Sequence, residues 1–159
     1  MKKRKVEPIE NGTVLDHLPA KSALQVLKIL NLDFESPVEI LINVNSKTNG
    51  KKDIIFIENK EITIDEIKKI GLIAMDCTWN IIENKTVTNK QTIKLPENAK
   101  NIIICPNSKC ITNYENIDTK FKISSENVTC EYCNRVINNN ELSKHFKWKL
   151  YKPFQGQFD

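Results

Sequence analysis

Four of the five cysteines in this 159-residue sequence stand in two close pairs, "CPNSKC" from Cys105 to Cys110 and "CEYC" from Cys130 to Cys133. Spacings of C-x4-C and C-x2-C let each pair reach one ion through a single tight loop, and four thiolates can then surround Zn²⁺ tetrahedrally at ~2.3 Å. Pro106, Asn107 and Ser108 are residue types that such loops favour. Two disulfides would need an oxidising compartment. No apolar run approaches the ~20 residues of a membrane span, and the basic start "MKKRK" leads into "VEPIENG" rather than the apolar stretch of a secretory leader. The expected location is therefore the cytoplasm, where paired cysteines more often hold metal. Iron in a rubredoxin-like site stays open beside zinc, because ligand type alone does not separate the two.

Four thiolates leave no coordination position for water or substrate, so the expected ion is structural, one per chain. A unit of about fifty residues has little core. Structural zinc contributes ~10–16 kcal/mol of apparent binding energy against a typical folding stability of ~5–15 kcal/mol, so losing the ion is expected to unfold this unit. His145 lies outside both loops and reads as an ordinary histidine. Cys77, alone in "AMDCTW", reads as a small buried side chain.

The larger part of the chain precedes the cysteines and alternates strand and helix signals. "NG" at Asn11 and Gly12 marks a turn into a strand from Thr13 to His17, and Pro19 is placed where a first helical turn tolerates it. Ala20, Ala23, Leu24, Leu27 and Leu30 recur at three and four, which predicts a helix with one apolar stripe ending near Asn31. "PVEILINV" alternates as a strand with one fully buried face and one mixed face, Asn49 and Gly50 supply a hairpin turn, and "KKDIIFIE" returns. Thr63 and Glu66 form a capping box for a helix bearing Ile64, Ile67 and Ile70, with Gly71 as its terminator. "CTWNIIE" and "TVTNKQTI" read as strands around a turn at Asn84 and Lys85. This order predicts an α+β fold: a ferredoxin-like antiparallel sheet with two helices on one face and an extra hairpin strand. "PENAKN" reads as a linker. Beyond it "NIIIC", "KFKIS" and "NVTC" predict short strands, and no helical pattern appears before Glu141, as in a small all-β zinc-ribbon or rubredoxin-like unit.

Elements that would announce an enzyme are missing. The sequence contains no G-x-x-x-x-G-K-[S/T], G-x-G-x-x-G, H-E-x-x-H or G-x-S-x-G, and only His17 and His145 offer an imidazole base. A protein that binds and transmits is expected, not one that catalyses. The formal net charge of +4 is modest, and from Asn134 to Asp159 five basic residues face two acidic ones. The end of the chain, "FKWKLYKPFQGQFD", alternates aromatic and basic residues, so a zinc-ribbon nucleic-acid binder is the alternative reading.

Longer stretches carry a specific resemblance. "VEPIENGTVLDHLPA" (Val6 to Ala20), "KKDIIFIEN" (Lys51 to Asn59), "NIIENKTVTNK" (Asn80 to Lys90), "LPE" (Leu95 to Glu97) and the two cysteine motifs closely resemble the regulatory chain of aspartate carbamoyltransferase, in order from about Val6 to about Leu142. The resemblance implies a non-catalytic subunit of pyrimidine biosynthesis. Residues 1–97 would bind CTP or ATP and pair with a second regulatory chain, residues 98–145 would hold zinc on Cys105, Cys110, Cys130 and Cys133 and grip a catalytic chain, and residues 146–159 form an extension without a counterpart. Neither membrane nor nucleic acid is an expected partner.

The family's nucleotide site falls on named positions. Val6, Glu7 and Ile9 would border the base, Asp16 would hold the ribose, and His17, Lys52 and Lys90 would face the phosphates. Val14, Ile54, Asn80, Ile82 and Val87 would line the pocket. Three residues depart from the family pattern: Phe56 stands in place of a second lysine, Lys85 in place of an aromatic, and Pro8 removes a backbone donor. Which nucleotide is preferred, and whether it activates or inhibits, is not written in the sequence.

Overall fold

The computed structural model describes residues 6–30, 32–48 and 50–147. Asn31, where the first helix was expected to end, Asn49 of the expected hairpin turn, the basic residues 1–5, and residues 148–159 of the aromatic and basic extension lie outside them. Among the described residues, 6–26 and 33–96 form one compact unit, and 27–30, 32 and 97–147 the other.

The first unit runs β1 (Gly12–Pro19), the start of α1 (Ala23–Leu30, whose residues 27–30 fall in the other unit), β2 (Val38–Asn45), β3 (Lys51–Glu58), α2 (Ile64–Ile73), β4 (Thr78–Glu83) and β5 (Thr86–Thr92). Its five strands lie in the order β2-β3-β1-β4-β5, and every pairing is antiparallel. This is the expected ferredoxin-like order with one added hairpin strand. Side chains alternate across a strand. One face carries Thr13, Leu15, Asp53, Ile55 and Ile57, all buried to within one per cent, and the two helices fill that side. The other face carries Val14, Asp16, Lys52, Ile54 and Phe56, all half-buried.

Two glycines hold this unit together by what they lack. Gly12 has φ 140°, and a Cβ there would stand 2.1 Å from the Ile57 carbonyl oxygen, so β1 enters the sheet only through glycine. Gly71 was expected to terminate α2, but it lies within the helix, which runs to Ile73 with Ala74 as its C-cap. Its role is close approach: a Cβ would sit 2.4 Å from the Lys94 carbonyl oxygen. The capping box forms as expected, with Thr63 N donating to Glu66 Oε2 at 2.8 Å and Glu66 N donating to Thr63 Oγ1 at 3.2 Å.

Other local expectations give way to tertiary demands. Pro19 is the last residue of β1, opposite Lys52, and α1 starts only at Ala23. Leu24 is 62 % exposed, so the buried stripe of α1 runs through Ala23, Val26, Leu27 and Leu30 instead. Neither face of β2 is fully buried, and Ile42 is 45 % exposed. The reason is position: β2 is an edge strand with a bulge between Leu41 and Val44, where Asn43 takes φ 58°. A fully buried carboxylate braces that bulge, since Asp53 accepts from Asn43 N at 2.8 Å and from Ala23 N, at the start of α1, at 2.9 Å.

The second unit is a four-stranded antiparallel sheet in chain order: β6 (Asn98–Lys100), β7 (Lys120–Ile123), β8 (Asn127–Cys130) and β9 (Val136–Asn138). Two of these strands were expected from "KFKIS" and "NVTC". "NIIIC" is not a strand, and "PENAKN", read as a linker, contains β6. Asn101, at φ 57°, ends β6 and turns the chain, so that Ile103 enters the interior with Phe121, Val128, Ile137, Leu142 and Phe146, all buried. There Thr119 Oγ1 donates to the Ile103 carbonyl at 2.7 Å. Short 3₁₀ turns follow at Ile111–Asn113 and Asn139–His145.

Candidate functional site

The second unit gathers its four paired cysteines. Their sulfurs all lie within 4.8 Å of one another, with Cys105 Sγ 3.6 Å from Cys133 Sγ and Cys110 Sγ 3.9 Å from Cys130 Sγ. A tetrahedron with metal–sulfur bonds of ~2.3 Å has edges of ~3.8 Å, so the donor set fits one zinc ion, and all five cysteines are free thiols. His145 takes no part: among the described residues the cluster holds only these four side chains.

Each pair is shaped by its own loop. In the first, Cys110 N donates to the Asn107 carbonyl at 2.9 Å and Lys109 N to Asn107 Oδ1 at 3.0 Å, which closes the tight turn. Asn113 Nδ2 reaches back to the carbonyls of Cys105 at 3.0 Å and Asn107 at 2.8 Å, and Thr112 Oγ1 donates to Cys110 Sγ at 3.2 Å. In the second, Cys130 ends β8, Cys130 N donates to the Arg135 carbonyl and Asn134 N to the Cys130 carbonyl, both at 2.9 Å. Asn134 takes the left-handed φ of 61° that the turn requires.

Burial pushes the Cys105 and Cys130 thiols up. Burial also acts on Cys133, but hydrogen bonds from the Asn107 side chain, the Arg135 backbone and neighbouring thiols outweigh it and bring Cys133 down to about 6. The buried thiols must lose protons as an ion binds. Cys77, fully buried in the first unit, is the small buried side chain expected, and burial pushes its thiol up to about 12.

On the open face of the first unit's sheet lies a cavity of about 320 Å³. Ile9, Val14, Asp16, Asn80, Ile82 and Val87 line it, six of the positions expected to bind nucleotide. The register explains the convergence: Val14 pairs with Asn80, Gly12 with Ile82, and Ile82 with Val87, so alternate residues of three adjacent strands share one face. The segment before β1 closes one side, pinned by Lys85 N donating to the Glu10 carbonyl at 2.8 Å and Asn84 N to Asn11 Oδ1 at 3.0 Å.

At the bulge between Leu15 and Leu18, Asp16 and His17 leave the ladder with β3, while Asp16 stays opposite Thr78 of β4. Asp16 Oδ1 accepts from Lys52 Nζ at 2.7 Å and from His17 N at 2.6 Å, and His17 Nδ1 lies 3.5 Å from both Asp16 Oδ2 and Thr78 Oγ1. Neither Lys52 nor His17 lines the cavity; each is tied to Asp16, which does. Lys90, opposite Asn80, and Ile54, opposite Leu41, share the sheet face but do not line the cavity; nor do Val6 and Glu7, which precede its rim.

Pro8, Phe56 and Lys85 do line it, although they were singled out only as departures. Phe56 lies opposite Val14 in the register, a signal that period-two alternation already contains. Asn80 Nδ2 is occupied by the Val14 carbonyl at 3.3 Å. A second cavity of about 390 Å³, bordered by Asn11, Asn59, Lys60, Glu61 and Glu83, shares only Ile82 with the expected positions and presents no cluster of cations.

Comparison with known proteins agrees with both halves. Residues 4–94 match the family described as aspartate carbamoyltransferase regulatory chain, allosteric domain, and residues 97–143 that of the same chain's metal binding domain. The chain is 47 % identical over 143 residues to the aspartate carbamoyltransferase regulatory chain of Methanococcus maripaludis strain C6, covering 88 % of this chain and 97 % of the relative. It is 45 % identical to that of Methanocaldococcus jannaschii (87 % and 95 % covered) and 43 % identical to that of Thermococcus sibiricus (91 % and 99 %). No helix of the described residues is long and apolar enough to cross a membrane.

Proposed function

The chain belongs to the family of aspartate carbamoyltransferase regulatory chains, a non-catalytic class of subunit, and on that premise we propose that its open-face cavity binds a CTP- or ATP-type effector whose occupancy is transmitted to a catalytic chain. The observation that carries this reading is the convergence of six expected positions on one cavity with the Asp16–Lys52 ion pair at its edge. Ile9, Val14, Ile82 and Val87 offer an apolar bed for a base. Asp16 offers a carboxylate for ribose hydroxyls, Lys52 and Lys90 offer positive charge, and His17 offers an imidazole on the same sheet for phosphates. Val6, Glu7, Ile54 and Asn80 complete the proposed site.

Residues 1–97 form the effector domain in this reading, and residues 98–145, on a zinc ion held by Cys105, Cys110, Cys130 and Cys133, form the module that docks to the catalytic chain. Zinc supplies cross-linking there and no reaction chemistry, because four thiolates complete its coordination. A second regulatory chain pairs with this one, and the assembly works in the cytoplasm. A coupling of ~1–3 kcal/mol between effector and catalytic chain is the usual size of such control. The nucleic-acid alternative is not favoured, since the family match spans both units.

Co-expression with an aspartate carbamoyltransferase catalytic chain tests the reading. The two chains should co-purify, and CTP or ATP should displace the aspartate saturation curve. An assembly that never forms, or one indifferent to both nucleotides while neither binds the isolated chain, would refute it.

A further inference from the structure

We propose that Thr112 is a positioning residue of the metal centre, holding Cys110 in place through a hydroxyl-to-sulfur hydrogen bond; this rests on the zinc reading of the cysteine cluster. Thr112 lies in the 3₁₀ turn Ile111–Asn113 that begins where the first cysteine pair ends. Its Oγ1 donates to Cys110 Sγ at 3.2 Å, within a half-buried setting, while Cys110 itself is 1 % exposed. Among the side-chain hydrogen bonds described for the four sulfurs, this one alone comes from a hydroxyl.

Two physical demands meet at that contact. Four thiolates around a divalent ion leave the centre net negative, and buried negative charge is costly unless donors share it. Cys110 sits deep in the unit, so Thr112 meets part of that demand where water cannot. The second demand is geometric. A β-branched side chain has few χ1 choices, so the hydroxyl stays on the sulfur at small entropic cost. The adjoining Asn113 binds the carbonyls of Cys105 and Asn107, and the turn thereby ties sulfur and loop backbone together on consecutive residues. Outer partners of this kind are commonly worth about 10–100-fold in metal affinity.

The test uses the full chain with zinc or Co²⁺ and three proteins: wild type, Thr112→Val and Thr112→Ser. Valine keeps the shape and removes the donor; serine keeps the donor. Zinc transfer to a chromogenic chelator should show affinity about tenfold or more weaker in Thr112→Val and near wild type in Thr112→Ser. In the Co²⁺-loaded chain the sulfur-to-cobalt charge-transfer band should move to lower energy in Thr112→Val, because a sulfur without its donor is more electron-rich, and return in Thr112→Ser. A merely structural role for Thr112 would not move that band. Thr112→Val indistinguishable from wild type in both readouts, or Thr112→Ser as impaired as Thr112→Val, overturns the proposal while leaving zinc in place. A wild-type chain that holds no ion overturns the metal reading itself.

Discussion

Replacing Asp53 by alanine isolates the contribution of one buried carboxylate to the effector unit. The residue is fully buried, and its two oxygens accept from Ala23 N at 2.9 Å and Asn43 N at 2.8 Å. Alanine leaves the buried Ala23 N without its acceptor, at ~1–3 kcal/mol, and removes the acceptor of the part-buried Asn43 N, which water can replace only in part, so the unit should lose about 2–4 kcal/mol. The favourable position of a carboxylate at the first turn of α1 is lost as well. For a unit of this size each kcal/mol is worth ~4–8 °C, and a loss of about 3 kcal/mol lowers the midpoint by roughly 10–25 °C. Thermal unfolding of the full chain followed by far-UV circular dichroism, with zinc content measured in parallel, reads the effect. Asp53→Asn should fall between the two, since it keeps one acceptor and sets an amide donor against the other N–H. A midpoint for Asp53→Ala within about 3 °C of wild type would show that this carboxylate does not brace the bulge and the helix start.

Three further outcomes are expected. Exhaustive chelation should unfold the second unit, and zinc retention should fall as pH falls, because the thiols of Cys105 and Cys130, raised by burial, must give up protons to bind; an ion kept equally well at about pH 8 and about pH 5 after dialysis contradicts this. Phe56→Lys places a cation in the cavity and should tighten CTP binding roughly five-fold, about 1 kcal/mol; unchanged calorimetric affinity counts against the proposed site. Gly71→Ala should destabilise by about 1–3 kcal/mol from overlap with the Lys94 carbonyl, although helix propensity alone would favour alanine by up to ~1 kcal/mol, so a gain in urea midpoint would disprove the close-packing role.

By itself the sequence determined what depends on neighbours along the chain. The capping box of Thr63 and Glu66 spans four consecutive residues, the left-handed turn at Asn84 and Lys85 is set by its own dihedrals, and the spacing within each cysteine pair fixes a loop able to present two sulfurs to one ion. Period-two alternation puts Lys52, Ile54 and Phe56 on one face of a strand, and Asn80 and Ile82 on one face of another, without any knowledge of the pairing. Only the tertiary structure decided what depends on distant partners. It made Gly71 a contact with Lys94 rather than a terminator, drew Ile103 of "NIIIC" into a core instead of a ladder, and left β2 half-exposed at the sheet edge. It also joined Asp53 to two segments far from it in sequence, and turned Phe56 and Lys85 into the same cavity. Dihedral preference and residue spacing act over a few bonds, whereas burial and register are set by whichever strand lies alongside, and that neighbour is chosen by the whole fold.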